Sequence, residues 1–212
     1  GDKTALFASG IRYGTPWMTQ RGLKEAEMIQ VADAMADILQ ATKPYSIETR
    51  QGPAARAKID FDVLEDVKLR VRSLAEKAGA DVEVGKHAYP HFFYIDDKPA
   101  DQNGWIAFDL SGDDVLGFVN YVFASDVEAL KPGERQNTRL NTPKGPVDGI
   151  LTWVKLDTYR FSLPAEHAGL AGTWLRDLSD GYVGFDVDVT RRLPGPIYVI
   201  ESAEPVTMSS GE

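Results

Sequence analysis

A chain of 212 residues that is 43% hydrophobic is long enough to bury a substantial core, as one domain or as two small ones. Its 32 acidic against 23 basic side chains leave a net charge of −9, which repels a phosphate backbone and argues against nucleic acid as a partner. The absence of cysteine excludes a disulfide framework, a thiolate metal site and a cysteine nucleophile together, and a reducing, cytoplasmic compartment fits best.

No window approaches the run of about 20 apolar residues that a membrane span needs, because charges such as Asp33 and Asp37 interrupt the most apolar stretches. The start, Gly1-Asp2-Lys3, has neither an initiator methionine nor the basic-then-apolar profile of a signal peptide, so the chain is expected to be a fragment. Leu23, Met28, Val31, Met35, Ile38 and Leu39 mark one apolar stripe and predict a helix over 21–41, with Thr19 as its N-cap and Pro44 ending it. A second helix is predicted over 60–78, capped by Asp60, closed by Gly79, and burying Val63, Leu64, Val67, Val71, Leu74 and Ala75. Thr49-Arg50-Gln51-Gly52-Pro53 between them reads as a loop.

Periodicity vanishes over 85–104, where Tyr89-Pro90-His91-Phe92-Phe93-Tyr94 precedes Asp96, Asp97, Pro99 and Asp101. That stretch is the expected junction, its aromatic residues packing on one neighbour and tethering the other. Beyond Trp105, short apolar runs punctuated by glycine and proline predict strands at 105–110, 136–140, 147–155, 159–163, 182–186 and 197–201. Helices are predicted over 113–123, with Val115, Leu116, Phe118, Val119 and Val122 inward, and over 165–175; 202–212 reads as a frayed tail. The fold class expected is α+β in both parts. Residues 1–95 form a small helix-rich domain with little sheet, and residues 96–212 an antiparallel ferredoxin-like or Greek-key sheet with helices on one side.

Ser9-Gly10-Ile11-Arg12-Tyr13-Gly14-Thr15-Pro16 stands before the first helix, where a glycine-flanked arginine can present its planar fork to a carboxylate. Read alone, Arg12 is better explained as an ordinary exposed arginine in a turn. The longer run, continuing through Thr19-x-Arg21-Gly22 and Lys24-Glu25-x-Glu27-Met28, strongly resembles the C-terminal domain of serine hydroxymethyltransferase, a pyridoxal phosphate enzyme. Arg56-Ala57-Lys58-Ile59-Asp60 and the helix after it resemble the extension of some bacterial members. The resemblance implies that Arg12 binds the carboxylate of serine or glycine and that the parent exchanges a one-carbon unit with tetrahydrofolate. No lysine here lies in the family's cofactor-lysine motif, so pyridoxal phosphate belongs to the parent protein only and this chain is expected to be inactive alone.

The second half offers Ala124-Ser125-Asp126-Val127, Leu130-Lys131-Pro132-Gly133 and Lys144-Gly145-Pro146-Val147-Asp148, whose glycines plain hairpin turns explain. Asp148, at the mouth of an apolar strand, is read either as a turn cap or as a ligand-binding carboxylate. The ordered set, ending in Asp157-x-Tyr159-Arg160-Phe161, resembles the aminomethyltransferase (glycine cleavage T-protein) family over about 115–175. The resemblance implies a tetrahydrofolate-binding module in which Asp148 meets the pterin and assists methylene transfer. Two departures stand out: the family's Asp-Asp pair reads Asp148-Gly149 here, and Asn137 stands where the family usually has a folate-contacting tyrosine. Trp153 is a candidate to stack on the pterin, while Trp17, Trp105 and Trp174 are expected in the core or at interfaces.

His87 and His91 have helical ligand spacing, but Pro90 between them argues against a helix; His167 reads as a surface residue, and no metal site is expected. The function expected is that of a one-carbon metabolism fragment handling serine or glycine and tetrahydrofolate. The alternative is a non-catalytic folate-sensing or oligomer-assembly module, as a homo-oligomer or in association with the large domain.

Overall fold

A computed structural model of the chain describes residues 13–80, 93–99 and 104–204. Its architecture is α+β, with two antiparallel sheets and five α-helices among the described residues. None of those helices is long and apolar enough to cross a membrane.

The first predicted helix, 21–41, starts later than expected, at Glu25, and an unpredicted short helix precedes it. A short α1 (Pro16–Gln20) and a long α2 (Glu25–Ala41) are separated by Gly22, whose φ of 84° glycine adopts without strain. Thr19 is therefore inside α1, donating its hydroxyl to the Thr15 carbonyl, and the N-cap of α2 is Lys24. Glu27, one turn in, accepts the Lys24 N–H at 2.8 Å.

The 49–53 loop is the tight end of a hairpin: β1 (Thr42–Thr49) pairs antiparallel with β2 (Gly52–Ile59). Thr49 Oγ1 donates to the Gly52 carbonyl at 2.6 Å and pins the turn, while Gly52 takes a φ of 101°. Pro44, expected to end the helix, lies within β1. This two-stranded ribbon tolerates proline because each strand has a free edge. Helix α3 (Phe61–Lys77) follows as predicted, its Asp60 cap accepting the Asp62 and Val63 N–H groups at 3.0 and 3.4 Å. Val71, expected to be buried, is 51% exposed.

The larger sheet runs in the order β4-β5-β6-β3-β7, every neighbouring pair antiparallel. Its strands are β3 (Trp105–Ser111), β4 (Arg135–Thr142), β5 (Gly145–Lys155), β6 (Thr158–Pro164) and β7 (Tyr198–Glu201). The meander β4-β5-β6 lies beside β3, which reaches it through a long connection holding α4 (Val115–Val122); this is Greek-key order. Helix α5 (Ala168–Asp180) follows a 3₁₀ turn at Ala165–His167 and outruns its predicted end until Gly181, at a φ of 76°, stops it.

Period-two alternation gives the sheet two unlike faces. Ile106, Phe108 and Leu110 of β3, Leu140 of β4, Val147 and Leu151 of β5 and Tyr159, Phe161 and Leu163 of β6 are all buried on the face that α4 and α5 cover. α5 approaches closely at Gly172, where an added Cβ would come within 2.9 Å of the Phe108 ring. The other face carries Asp109, Arg139, Asp148 and Arg160. Leu116, expected inward, is 44% exposed on α4.

Residues 182–186, expected to be a strand, make only an isolated bridge from Val183 to Ile59. Side-chain turns take over just beyond: Asp186 accepts the Asp188 N–H, and Asp188 accepts the Thr190 N–H, each at 2.9 Å. Ile59 donates its N–H to the Tyr182 carbonyl at 2.8 Å and accepts the Gly184 N–H at 2.9 Å, so the hairpin is laced to this segment. Phe61 meets Trp174 edge to face at 5.0 Å. Of the aromatic run at the expected junction, 89–92 lie outside the described residues, while Phe93 packs against Phe108 and Tyr94 lies under the Arg72 guanidinium.

Candidate functional site

Strand alternation decides which proposed site residues meet. In β4 and β5, Arg139 stands opposite Asp148 and Asn137 opposite Ile150, which puts Asn137, Arg139 and Asp148 on the helix-free face. Arg139 Nε donates to Asp148 Oδ1 at 2.7 Å. Both groups are well exposed, and the hydrogen bond from Arg139 holds the Asp148 carboxyl below its ordinary value, so it is an anion at neutral pH.

Trp153 belongs to the opposite face. It is five residues from Asp148 along the same strand, pairs with Tyr159 and stacks on that ring at 5.6 Å with 19° between planes. Its indole N–H donates to the Lys155 carbonyl at 2.7 Å. Asp148 and Trp153 therefore do not converge on one ligand within this chain.

Gly149 also faces the core: a Cβ there would come within 2.5 Å of both the Phe161 ring and the Ser162 carbonyl oxygen. A second carboxylate after Asp148 has no room, which is the physical reason for the Asp148-Gly149 pair. Asn137 is exposed at the edge strand. Arg12, His87 and His91 lie outside the described residues.

Two features were not legible as sites in the sequence. An apolar groove of about 480 Å³ runs between α1, α2 and α3, walled by Met35, Ile38, Val67 and Leu74, with Trp17 73% exposed at its rim. A cleft of about 690 Å³ lies where the β1–β2 hairpin meets α5 and residues 184–189; Lys43, Lys58, Trp174 and Phe185 line it. Lys58 is the lysine most fully buried among the described residues, at 2% exposure. Its ammonium donates to the Arg191 carbonyl at 2.5 Å and sits 3.9 Å from the Phe185 ring centre.

Between α3 and α5 lies a buried charged cluster. Lys68 reaches Glu65 at 2.8 Å and Asp177 at 3.7 Å. Glu65 Oε2 and Asp177 Oδ2 have no hydrogen-bond partner. Burial above all, opposed by Lys68 and reinforced by Glu65, pushes the Asp177 carboxyl up to about 8. Among the described residues no group of three or more histidine, aspartate or glutamate side chains is arranged to hold a metal ion.

No family model matches the chain. It is similar over part of its length to serine hydroxymethyltransferases. The mitochondrial enzyme of Candida glabrata is 37% identical over 82 residues, which is 38% of this chain and 17% of that protein. Serine hydroxymethyltransferase 3, chloroplastic, of Arabidopsis thaliana is 35% identical over 36% of this chain and 15% of its own length. The serine hydroxymethyltransferase of Cutibacterium acnes is 36% identical over 34% of this chain and 14% of its own. The chain thus spans less than a fifth of the length of these curated relatives, and its similarity to them is local.

Proposed function

We propose that this chain belongs to a protein of serine and glycine one-carbon metabolism, its first part completing a hydroxymethyltransferase-like body and its sheet part handling tetrahydrofolate. The tetrahydrofolate part rests on the sequence motifs alone, while the local identity of 37% over 82 residues to a serine hydroxymethyltransferase carries the serine and glycine part of this reading. The open groove between α1, α2 and α3 supports it, since an apolar surface of this kind is one that a further body of protein covers. In this reading the parts divide near residue 95, Arg12 takes the substrate carboxylate, and the cysteine-free composition suits the cytoplasm.

Pyridoxal phosphate does not fit the described residues. A lysine that attacks such a cofactor must be both desolvated and free, whereas the buried Lys58 is engaged by the Arg191 carbonyl and the Phe185 ring and Lys43 is exposed to solvent. That cofactor belongs to the parent protein, and the chain alone is inactive. For tetrahydrofolate, Asp148, Arg139 and Asn137 offer acceptors and donors on one open sheet face, on which a flat heterocycle can lie. Trp153 does not join them.

The second reading is a non-catalytic folate-sensing or oligomer-assembly module. It is favoured by the exposure of Asp148, by its engagement with Arg139 and by the Phe161 ring that closes position 149. Calorimetry with tetrahydrofolate on the chain and on Asp148→Ala separates the two. Binding near micromolar, about −8 kcal/mol, lost on substitution, is expected for a folate-handling face. Absence of heat with both proteins rejects it and leaves assembly, which sedimentation of the chain then checks.

A further inference from the structure

Lys43 and Lys58 are directly opposite one another across the β1–β2 ladder. Like charges in that relationship repel, since opposite side chains on one face stand about 5 Å apart at Cβ. An ordinary hairpin relieves such a pair with a carboxylate. Among the described residues no carboxylate lies within ion-pair distance of either lysine, and the Lys43 ammonium has no hydrogen-bond partner there.

The acidic groups near Lys58 are spent elsewhere. Asp60 caps α3, and Asp186 is held by Arg191 at 2.7 Å and by the Asp188 N–H. Asp188 accepts from Thr190. Burial accordingly draws the Lys58 ammonium below its ordinary value, against the more distant pull of Asp186 and Asp188. A buried cation without a carboxylate partner is costly.

Both lysines line the same cleft, whose other walls include Trp174, Phe185, Ile59 and Val187 together with Asp60 and Asp186, the two carboxylates already engaged by the α3 N-terminus and by Arg191. A volume of about 690 Å³ lies in the range of small-molecule sites, which are apolar with a few placed polar groups. Trp174 is fixed in this wall because its indole N–H donates to the Asn141 carbonyl at 2.8 Å and Phe61 meets its ring.

We infer that this cleft is a binding site for a small aromatic carboxylate, its flat body against Trp174 and Phe185 and its anionic group on Lys43. Lys58 contributes its charge from beneath, with its ammonium covered by Phe185 and the Arg191 carbonyl. Lys43, exposed at the mouth, makes the direct contact. The inference stands independently of the one-carbon reading, because it uses neither the sheet face of Asp148 nor the groove of α1–α3.

The test titrates the full chain with 2-naphthoate and, as the uncharged control, 2-naphthamide, following the four tryptophan indole N–H signals by NMR. Expected are saturable binding of 2-naphthoate, a shift of the Trp174 signal without one at Trp17, and weaker binding of 2-naphthamide. Lys43→Gln should weaken 2-naphthoate binding about tenfold, as expected when a charge-assisted hydrogen bond is lost, and Lys43→Arg should retain it. Lys43 is exposed and unpaired, so an unchanged melting temperature confirms that Lys43→Gln folds. The inference is overturned by any of three results: no saturable binding, equal binding of acid and amide, or a Lys43→Gln variant that folds and binds like the parent. A shift confined to Trp17 also overturns it, since that places the probe in the other groove.

Discussion

The Phe161 ring occupies the space into which a side chain on Gly149 would project, with Cε2 only 2.5 Å from where a Cβ would stand. The contact ties a surface feature to the core, because Asp148, one residue earlier, points to solvent on the other face of β5. Gly149→Ala should therefore destabilise the sheet by about 1–3 kcal/mol, the range for overpacking a filled core. Gly149→Asp should cost more, since it buries a carboxylate without a partner. Denaturant unfolding measures both, and a variant as stable as the parent would show that Phe161 can move aside.

The edge-to-face contact of Phe61 with Trp174 joins α3 to α5. Phe61 is buried, and Phe61→Ala leaves a cavity whose cost is expected at about 3–5 kcal/mol. Trp174 emission should shift to the red as water enters. Unfolding that remained a single transition with no loss of stability would mean that the packing of α3 on α5 does not depend on this contact.

The buried Asp177 carboxyl makes stability depend on pH in a stated direction. In the unfolded chain it titrates near 3.8, and in the folded chain near 8, so between these values the folded state holds a proton that the unfolded state has released. Its contribution is fully present below the unfolded value and is lost as pH rises through about 8. Asp177→Asn removes that proton equilibrium, and its melting temperature should gain on the parent's steadily from pH 5 to pH 8.5. Parallel curves for the two proteins would contradict the assignment.

Glu27 gives the opposite slope. Lys77 in the first place, and the Lys24 N–H with it, hold the Glu27 carboxyl down to about 2, below its ordinary 4.5. The stability it lends is present above the unfolded value and is lost as pH falls through about 2. Glu27→Gln should lower the melting temperature at pH 7, and the gap from the parent should close on acidification. A gap that persists at pH 2 would assign the loss to packing rather than to charge.

Much of the architecture was legible because local signals agree with each other. The Asp60 cap, the α3 stripe and the alternation of β3 through β6 are consequences of helix and strand periods, which neighbouring residues carry unaided. The β1–β2 hairpin was hidden, since Pro44 and Gly52-Pro53 look like breakers until a two-stranded ribbon with free edges accommodates them. The segment 182–186 failed as a strand for a related reason: its apolar content serves one bridge to Ile59, and the aspartates that follow turn the backbone on itself.

The sequence by itself determined the α+β class, the acidic and cysteine-free character, and the local likeness to hydroxymethyltransferases, because composition and short-range pattern suffice for these. Tertiary structure alone decided which side chains meet. It turned Trp153 away from Asp148, filled position 149 with the Phe161 ring, and set Lys43 beside Lys58 in one cleft. Each outcome depends on strand register, where a shift of one residue exchanges the two faces of a sheet, and register is set by partners far away in the chain.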